Sequence, residues 1–175
     1  ISKDDCYIYG VILGDGCLNN SETTSYISLH SEKKEYILNK LKEYFTNKCI
    51  RYNITTENNT TRIRWDKNTI LPFKYGECYD INKEKICHSR WLNLPINKIK
   101  YIIKGLIDTD GCKPPNSGKG EYRELLFDTT SRNLLESMRY LLLRMGILTS
   151  GYIRDRRGQT HLTKYGSTIT NKKIS

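Results

Sequence analysis

Two aspartates stand at matching places in the chain. Residues 8–17 (IYGVILGDGC) and 103–112 (IKGLIDTDGC) share one order: apolar, Gly, aliphatics, a small residue, then Asp-Gly-Cys. A single Asp-Gly pair is a common turn. Two copies in register within a longer repeat are better read as a device used twice. Each apolar run predicts a helix, and Gly16 and Gly111 are suited to end it in the left-handed conformation. Asp15 and Asp110 then fall at helix C-termini. The helix dipole disfavours a carboxylate there by about 0.3–1 kcal/mol. Helices packed side by side in like direction would also make the two carboxylates converge and repel. A divalent cation reverses the sign of that arrangement, and hard oxygen ligands suit Mg²⁺, bound through one or two carboxylates plus phosphate and water.

The elements that position this pair repeat as well. Residues 26–31 (YISLHS) and 125–131 (LLFDTTS) alternate like strands, and each closing Ser is predicted to open an amphipathic helix. Tyr36, Ile37, Leu41, Tyr44 and Phe45 line one side of the first helix. Leu134, Leu135, Met138, Leu141, Leu142 and Met145 line the second, with Ser131 as N-cap and Gly146 past the C-terminus. Strands are expected at 61–66 (TRIRWD) and 152–157 (YIRDRR), with Ile63, Trp65 and Ile153 inward and the arginines outward. A last strand is expected near Thr168–Lys172, and residues 17–25 and 113–120 read as loops. The fold class is α+β, with two halves, 1–95 and 96–175, joined near Trp91-Leu-Asn-Leu-Pro95. Gly10 and Gly14, and Gly105 and Thr109, recur at i, i+4, where small residues let two helix backbones approach closely.

Composition narrows the partners. The 175 residues carry 29 Lys and Arg against 19 Asp and Glu, a formal charge of +10. Residues 1–96 account for only +2 of it and residues 97–175 for +8. A polyanion fits such a surface, and nucleic acid is the commonest one. The aromatic content excludes a disordered tail. No apolar run approaches the roughly 20 residues of a membrane span, and Ile1–Tyr9 lacks the pattern of a signal peptide. The six cysteines show no C-x2-C pair and read as reduced thiols of an intracellular protein, cytoplasmic or nuclear.

The two motifs resemble those of the LAGLIDADG homing endonucleases. GLIDTDG at 105–111 is close to the family pattern, and YGVILGDG at 9–16 is similar to the variant in intein-borne members. The segment LLLRMGI (141–147) is also similar to the family. The resemblance implies two pseudo-symmetric αββαββ repeats forming a saddle, with the motif helices packed at its centre through Gly10, Gly14, Gly105 and Thr109. It implies a monomer that cuts double-stranded DNA at a long site, hydrolysing one phosphodiester per strand and leaving short 3′ overhangs. Asp15 and Asp110 would be catalytic and bind Mg²⁺, or Mn²⁺ in its place, with Gly14 and Thr109 beside them.

Intein-borne members carry a lysine in a Lys-Ile-Pro-like element upstream of the second motif. Lys85-Ile86-Cys87, 25 residues before Asp110, resembles it with Cys for Pro. Lys85 is thus a candidate to orient water or stabilise phosphate charge; its other reading is a member of the solvated run 82–85. Arg62, Arg64, Lys113, Lys119, Arg123, Arg154, Arg156 and Arg157 are the candidate DNA contacts. Ile1 is no splicing nucleophile and no terminal His-Asn is present, so either the enzyme is free-standing or a splicing domain lies outside this chain. The family usually adds a strand or helix beyond the point matching Ser175. The competing readings are a non-cleaving DNA- or RNA-binding relative, such as an intron maturase, and a basic interaction protein with a structural repeat.

Overall fold

The computed structural model describes the chain apart from residues 21–23, 67–68, 113–124, 156, 159, 163–167 and 171–175. Helix α1 spans Lys3–Asp15 and is buried from Asp5 to Leu13. Its run Cys6–Leu13 has no polar side, which is the pattern of a helix surrounded by protein. A capping box starts it: Asp5 N–H donates to Ser2 Oγ (2.9 Å) and Ser2 N–H to Asp5 Oδ2 (2.7 Å).

From α1 the chain passes into β1 (Gly16–Cys17), β2 (Ser25–His30), α2 (Glu35–Asn47), β3 (Tyr52–Glu57) and β4 (Thr60–Trp65). The four strands form an antiparallel sheet in the order β1-β2-β4-β3. Alternation fixes its faces. Ser25, Ile27 and Leu29 of β2 and Thr61, Ile63 and Trp65 of β4 are buried, and the intervening residues are not. Ile37, Leu38, Leu41, Tyr44 and Phe45 of α2 join the same core.

Residues 66–95 lead to the second half. Phe73, Cys78, Cys87 and Trp91 are buried there, Trp91 within the short α3 (Ser89–Leu92). Trp91 stacks on Tyr9 at 4.1 Å between centroids, and Tyr9 Oη donates to the Glu77 carbonyl. Pro95 then caps α4 (Ile96–Asp110), followed by β5 (Gly111–Cys112), β6 (Leu126–Phe127), α5 (Arg132–Arg144), β7 (Thr160–Leu162) and β8 (Thr168–Thr170). The element order is therefore α-β-β-α-β-β in each half. β5 pairs with β6 and β7 with β8. Ser131 caps α5 by accepting from Leu134 N–H (3.2 Å), and Gly146 follows it at φ 75°. Among the described residues no helix is long and apolar enough to cross a membrane.

Several expectations need correcting. Gly16 and Gly111 are extended, with φ/ψ of −76°/151° and −79°/146°, because the chain leaves each helix directly into a strand. Glycine is required there for space: a Cβ on Gly16 would lie 2.7 Å from Ile12 Cα, and one on Gly111 2.9 Å from Ile107 Cα. Ser31 does not open α2. It joins a turn, sharing a hydrogen bond with Thr61 Oγ1 (2.9 Å), and the helix begins at Glu35. Tyr36 lies outside the apolar stripe and is exposed. The alternation at 125–131 yields strand only at Leu126–Phe127. Residues 151–155 form no strand, and Ile153 is 75 % exposed rather than inward. Among the described residues no strand pairs with this segment; its contact there is an ion pair from Arg154 to Asp128 (2.6 Å).

Candidate active site and nucleic-acid face

Helices α1 and α4 lie side by side in like direction, close enough that their backbones nearly touch. A Cβ on Gly10 would meet the Ile102 carbonyl and lie 3.1 Å from Gly105 Cα. A Cβ on Gly105 would meet the Tyr7 carbonyl and lie 2.7 Å from Val11 N. One turn on, a Cβ at Gly14 would fall on the Thr109 side chain and 3.4 Å from Asp110 Oδ2. Thr109 Oγ1 donates back to the Gly105 and Leu106 carbonyls, both at 3.0 Å, so its polar atom is satisfied within its own helix.

This packing carries Asp15 and Asp110 to neighbouring helix ends. Burial raises the Asp110 carboxyl to about 6, and the Asp15 charge adds to the rise; the ammonium groups of Lys34 and Lys85 pull the other way. Lys34, from the turn between β2 and α2, donates to Asp15 Oδ2 (2.7 Å) and to the Thr109 carbonyl (2.5 Å). Lys85 donates to the carbonyls of Ile12 (2.6 Å) and Gly16 (2.5 Å), with Gly14 at 3.4 Å. Burial lowers its pKa to about 8, against the opposing pull of the Asp110 and Asp15 charges. Its own carbonyl accepts from Ser131 Oγ (2.6 Å), so the start of α5 holds Lys85 against the end of α1. Lys85 therefore belongs to no solvated run; it is a cation seated at the negative pole of a helix.

Nothing in the sequence singled out Lys34, one of two adjacent lysines in a polar turn. Its role at the helix ends is a product of where that turn folds. The same holds for Asp108, whose carboxylate accepts from Tyr7 Oη (2.8 Å) across α1 and α4 and pairs with Lys104 (3.0 Å).

The donor set suits a hard divalent cation. Among the described residues no cluster of three or more His, Cys, Asp or Glu side chains is present. The site offers two carboxylates with backbone carbonyls at their sides, oxygens only. One ammonium already bridges a carboxylate and a carbonyl there, so that wedge is shaped and charged for a cation.

Arg62 and Arg64 lie on the outer face of the four-stranded sheet, in cross-strand rows. Tyr26, Arg64 and Asn53 form one row; Ser28, Arg62 and Thr55 the next; His30, Thr60 and Glu57 the third. Arg62 Nε donates to Ser28 Oγ (2.9 Å), and its guanidinium lies over the Tyr26 ring at 5.0 Å. The arginines were readable from alternation, whereas the row partners needed the register. In the second half Arg154 pairs with Asp128 and Arg157 with Asp155 (2.6 Å each), neither in a strand. Lys113, Lys119, Arg123 and Arg156 lie outside the described residues.

Comparison with known proteins agrees with this architecture. Residues 97–174 match the LAGLIDADG-like domain family. I-DmoI bound to DNA and calcium superposes with a TM-score of 0.63 at 17% identity, over 87% of this chain and 75% of that one. I-DmoI bound to DNA and manganese gives 0.58 at 16% identity, over 99% and 89%. The second half is thus similar to the LAGLIDADG-like domain, and the chain as a whole has the α+β saddle fold of that homing endonuclease. Among curated proteins it is 26% identical to the ribonucleoside-diphosphate reductase NrdEB subunit alpha of Bacillus subtilis (strain 168) over 97% of its length, but spans only 17% of that protein. It is 37% identical to the ATP-dependent DNA helicase Hel308 of Methanocaldococcus jannaschii over 39% of its length, 5% of the helicase.

Proposed function

We propose that the chain is a site-specific double-stranded DNA endonuclease that hydrolyses one phosphodiester on each strand with divalent metal. The observation that carries this is the convergence of Asp15 and Asp110 at two adjoining helix ends, an arrangement that costs free energy without a cation. Asp15 with the Thr109 carbonyl, and Asp110 with the Gly14 carbonyl, would hold the ions. Bound there, Mg²⁺ or Mn²⁺ would polarise the scissile phosphate and lower the pKa of an attacking water. The residues of the chain supply the rest. Asp15 and Asp110 provide the negative charge, Lys85 keeps the end of α1 in place, and the buried Gly10–Gly105 contact sets the spacing of the two ends. Arg62 and Arg64 present donors to a duplex lying on the sheet.

Residues 1–95 and 96–175 would act as the two halves of one monomeric, pseudo-twofold domain. The match to short stretches of two large proteins with unrelated activities supports an insert, of intein type, over a part of either activity. The test is incubation with plasmids bearing the uninterrupted sequence into which the coding region is inserted, with Mg²⁺ and with EDTA. Metal-dependent linearisation is expected. DNA binding with no cleavage under any divalent metal would instead support the non-cleaving relative.

A further inference from the structure

We propose that Lys34 is an internal counter-ion that occupies the Asp15–Thr109 cation seat and competes with a divalent ion for it. This rests on the metal-site reading given under Proposed function. Its ammonium contacts two oxygens from different halves: Asp15 Oδ2 of α1 at 2.7 Å and the Thr109 carbonyl of α4 at 2.5 Å. A divalent ion using the same two oxygens would approach within about 2.0–2.6 Å of each. The ammonium nitrogen fills that wedge, so the two cations cannot share it.

The seat is built to be vacated. The Lys34 side chain is 27 % exposed and the Asp15 side chain 26 %. Lys34 leaves from a turn ahead of α2, so its long stem can swing out with no helix moving. Lys85 makes the contrast. It is held by the carbonyls of Ile12 and Gly16 and lies farther, at 3.4 Å, from the Gly14 carbonyl of the other seat. One lysine is a fixture of the fold, and the other a movable placeholder. While seated, Lys34 offsets the repulsion of two carboxylates at two negative helix poles; once displaced, its charge is released beside the site.

The experiment is a Mn²⁺ titration of the full chain without DNA, followed by loss of the free Mn²⁺ signal in electron paramagnetic resonance. Wild type is compared with Lys34→Met, Lys34→Gln and Asp15→Asn, and the Mn²⁺-induced rise in melting temperature provides a second readout for weak binding. Removing a competing unit charge from contact with the seat should tighten Mn²⁺ binding about tenfold or more in both Lys34 variants. Their metal-free melting temperatures should fall below wild type and recover with saturating Mn²⁺. Unchanged or weaker Mn²⁺ binding by both Lys34 variants, with binding lost in Asp15→Asn, would overturn the proposal and leave the metal site standing. Mn²⁺ binding unaffected by Asp15→Asn would remove the site itself.

Discussion

The two motif aspartates share a sequence context and differ in surroundings. Both are partly exposed, but Asp15 meets Lys34, whereas desolvation and the Asp15 charge raise the Asp110 carboxyl to about 6. The repeat places both at the end of a helix. Which one gains a partner depends on a turn from the first half that crosses to the Thr109 carbonyl. The sheets of the two halves differ in the same way. In the first half, six-residue pairings of β2, β3 and β4 bury one face and present Arg62 and Arg64 on the other. In the second half the described strands pair by twos, and Arg154 finds Asp128 without a ladder. Duplicated sequence thus guarantees like helices more readily than like environments.

The largest effect is expected at the two carboxylates. Asp15→Asn and Asp110→Asn should each reduce double-strand cleavage by about a hundred- to a thousandfold, the scale of a lost electrostatic stabiliser, with DNA binding retained. Supercoiled-plasmid assays distinguish loss of both cuts from nicking of one strand. Robust linearisation by either variant would show that the two aspartates are not a functional pair.

Next in size is the helix contact. Gly10→Leu and Gly105→Leu should each cost at least about 3 kcal/mol, the upper range of overpacking, because the neighbours are backbone and cannot turn aside. Gly76, where an added Cβ would meet nothing within 4 Å, is the control, and Gly76→Ala should stay within about 0.5 kcal/mol. Denaturant melts that fail to separate the two classes would mean α1 and α4 do not meet at these glycines.

A smaller effect separates Arg62, on the four-stranded sheet, from Arg154, which lies in no strand. Arg62 is held by Ser28 through Nε and lies over the Tyr26 ring, an arrangement that fixes its guanidinium on the outer face of the sheet. Arg62→Ala should cost about 1–3 kcal/mol at one base position if it reads a base. If it holds phosphate, the salt dependence of binding should instead flatten by about one charge. Arg154→Ala, already paired with Asp128, should do less on both counts. Equal effects in a salt-dependent binding series would erase the distinction.

The smallest concerns Asp5, a carboxylate placed to support the fold. Burial alone would raise it, but donation from Ser2 and Tyr44, with Lys48 at 3.2 Å, holds it at about 2 against an ordinary 3.8. The ionised form is thus favoured by folding. Its contribution is present above about pH 4 and lost as pH falls toward 2. Asp5→Asn should lower the melting temperature at neutral pH and flatten its decline in acid. An acid limb identical to wild type would show that Asp5 does not anchor α1 to α2.

Residue order alone was enough to read the repeat, the two helices that carry it, the amphipathic stripe of α5 with Ser131 at its start, and the stripe of α2 apart from Tyr36. These are local: side-chain periodicity and small residues at fixed spacing act within one element. It also marked Asp15 and Asp110, because a carboxylate at a helix end is unfavourable wherever it occurs, and Lys85 through its resemblance to a family element. Other features exist only once distant segments meet. Lys34 reaches the site by crossing 75 residues of sequence to the Thr109 carbonyl. Gly16 and Gly111 are needed for space rather than for φ, since a Cβ there would strike the preceding turn of each helix. The strand expected at 152–157, absent at the described residues 152–155, depended on distant segments in the same way: alternation states which side chains can share a face, but a strand exists only where another backbone lies alongside to accept its hydrogen bonds.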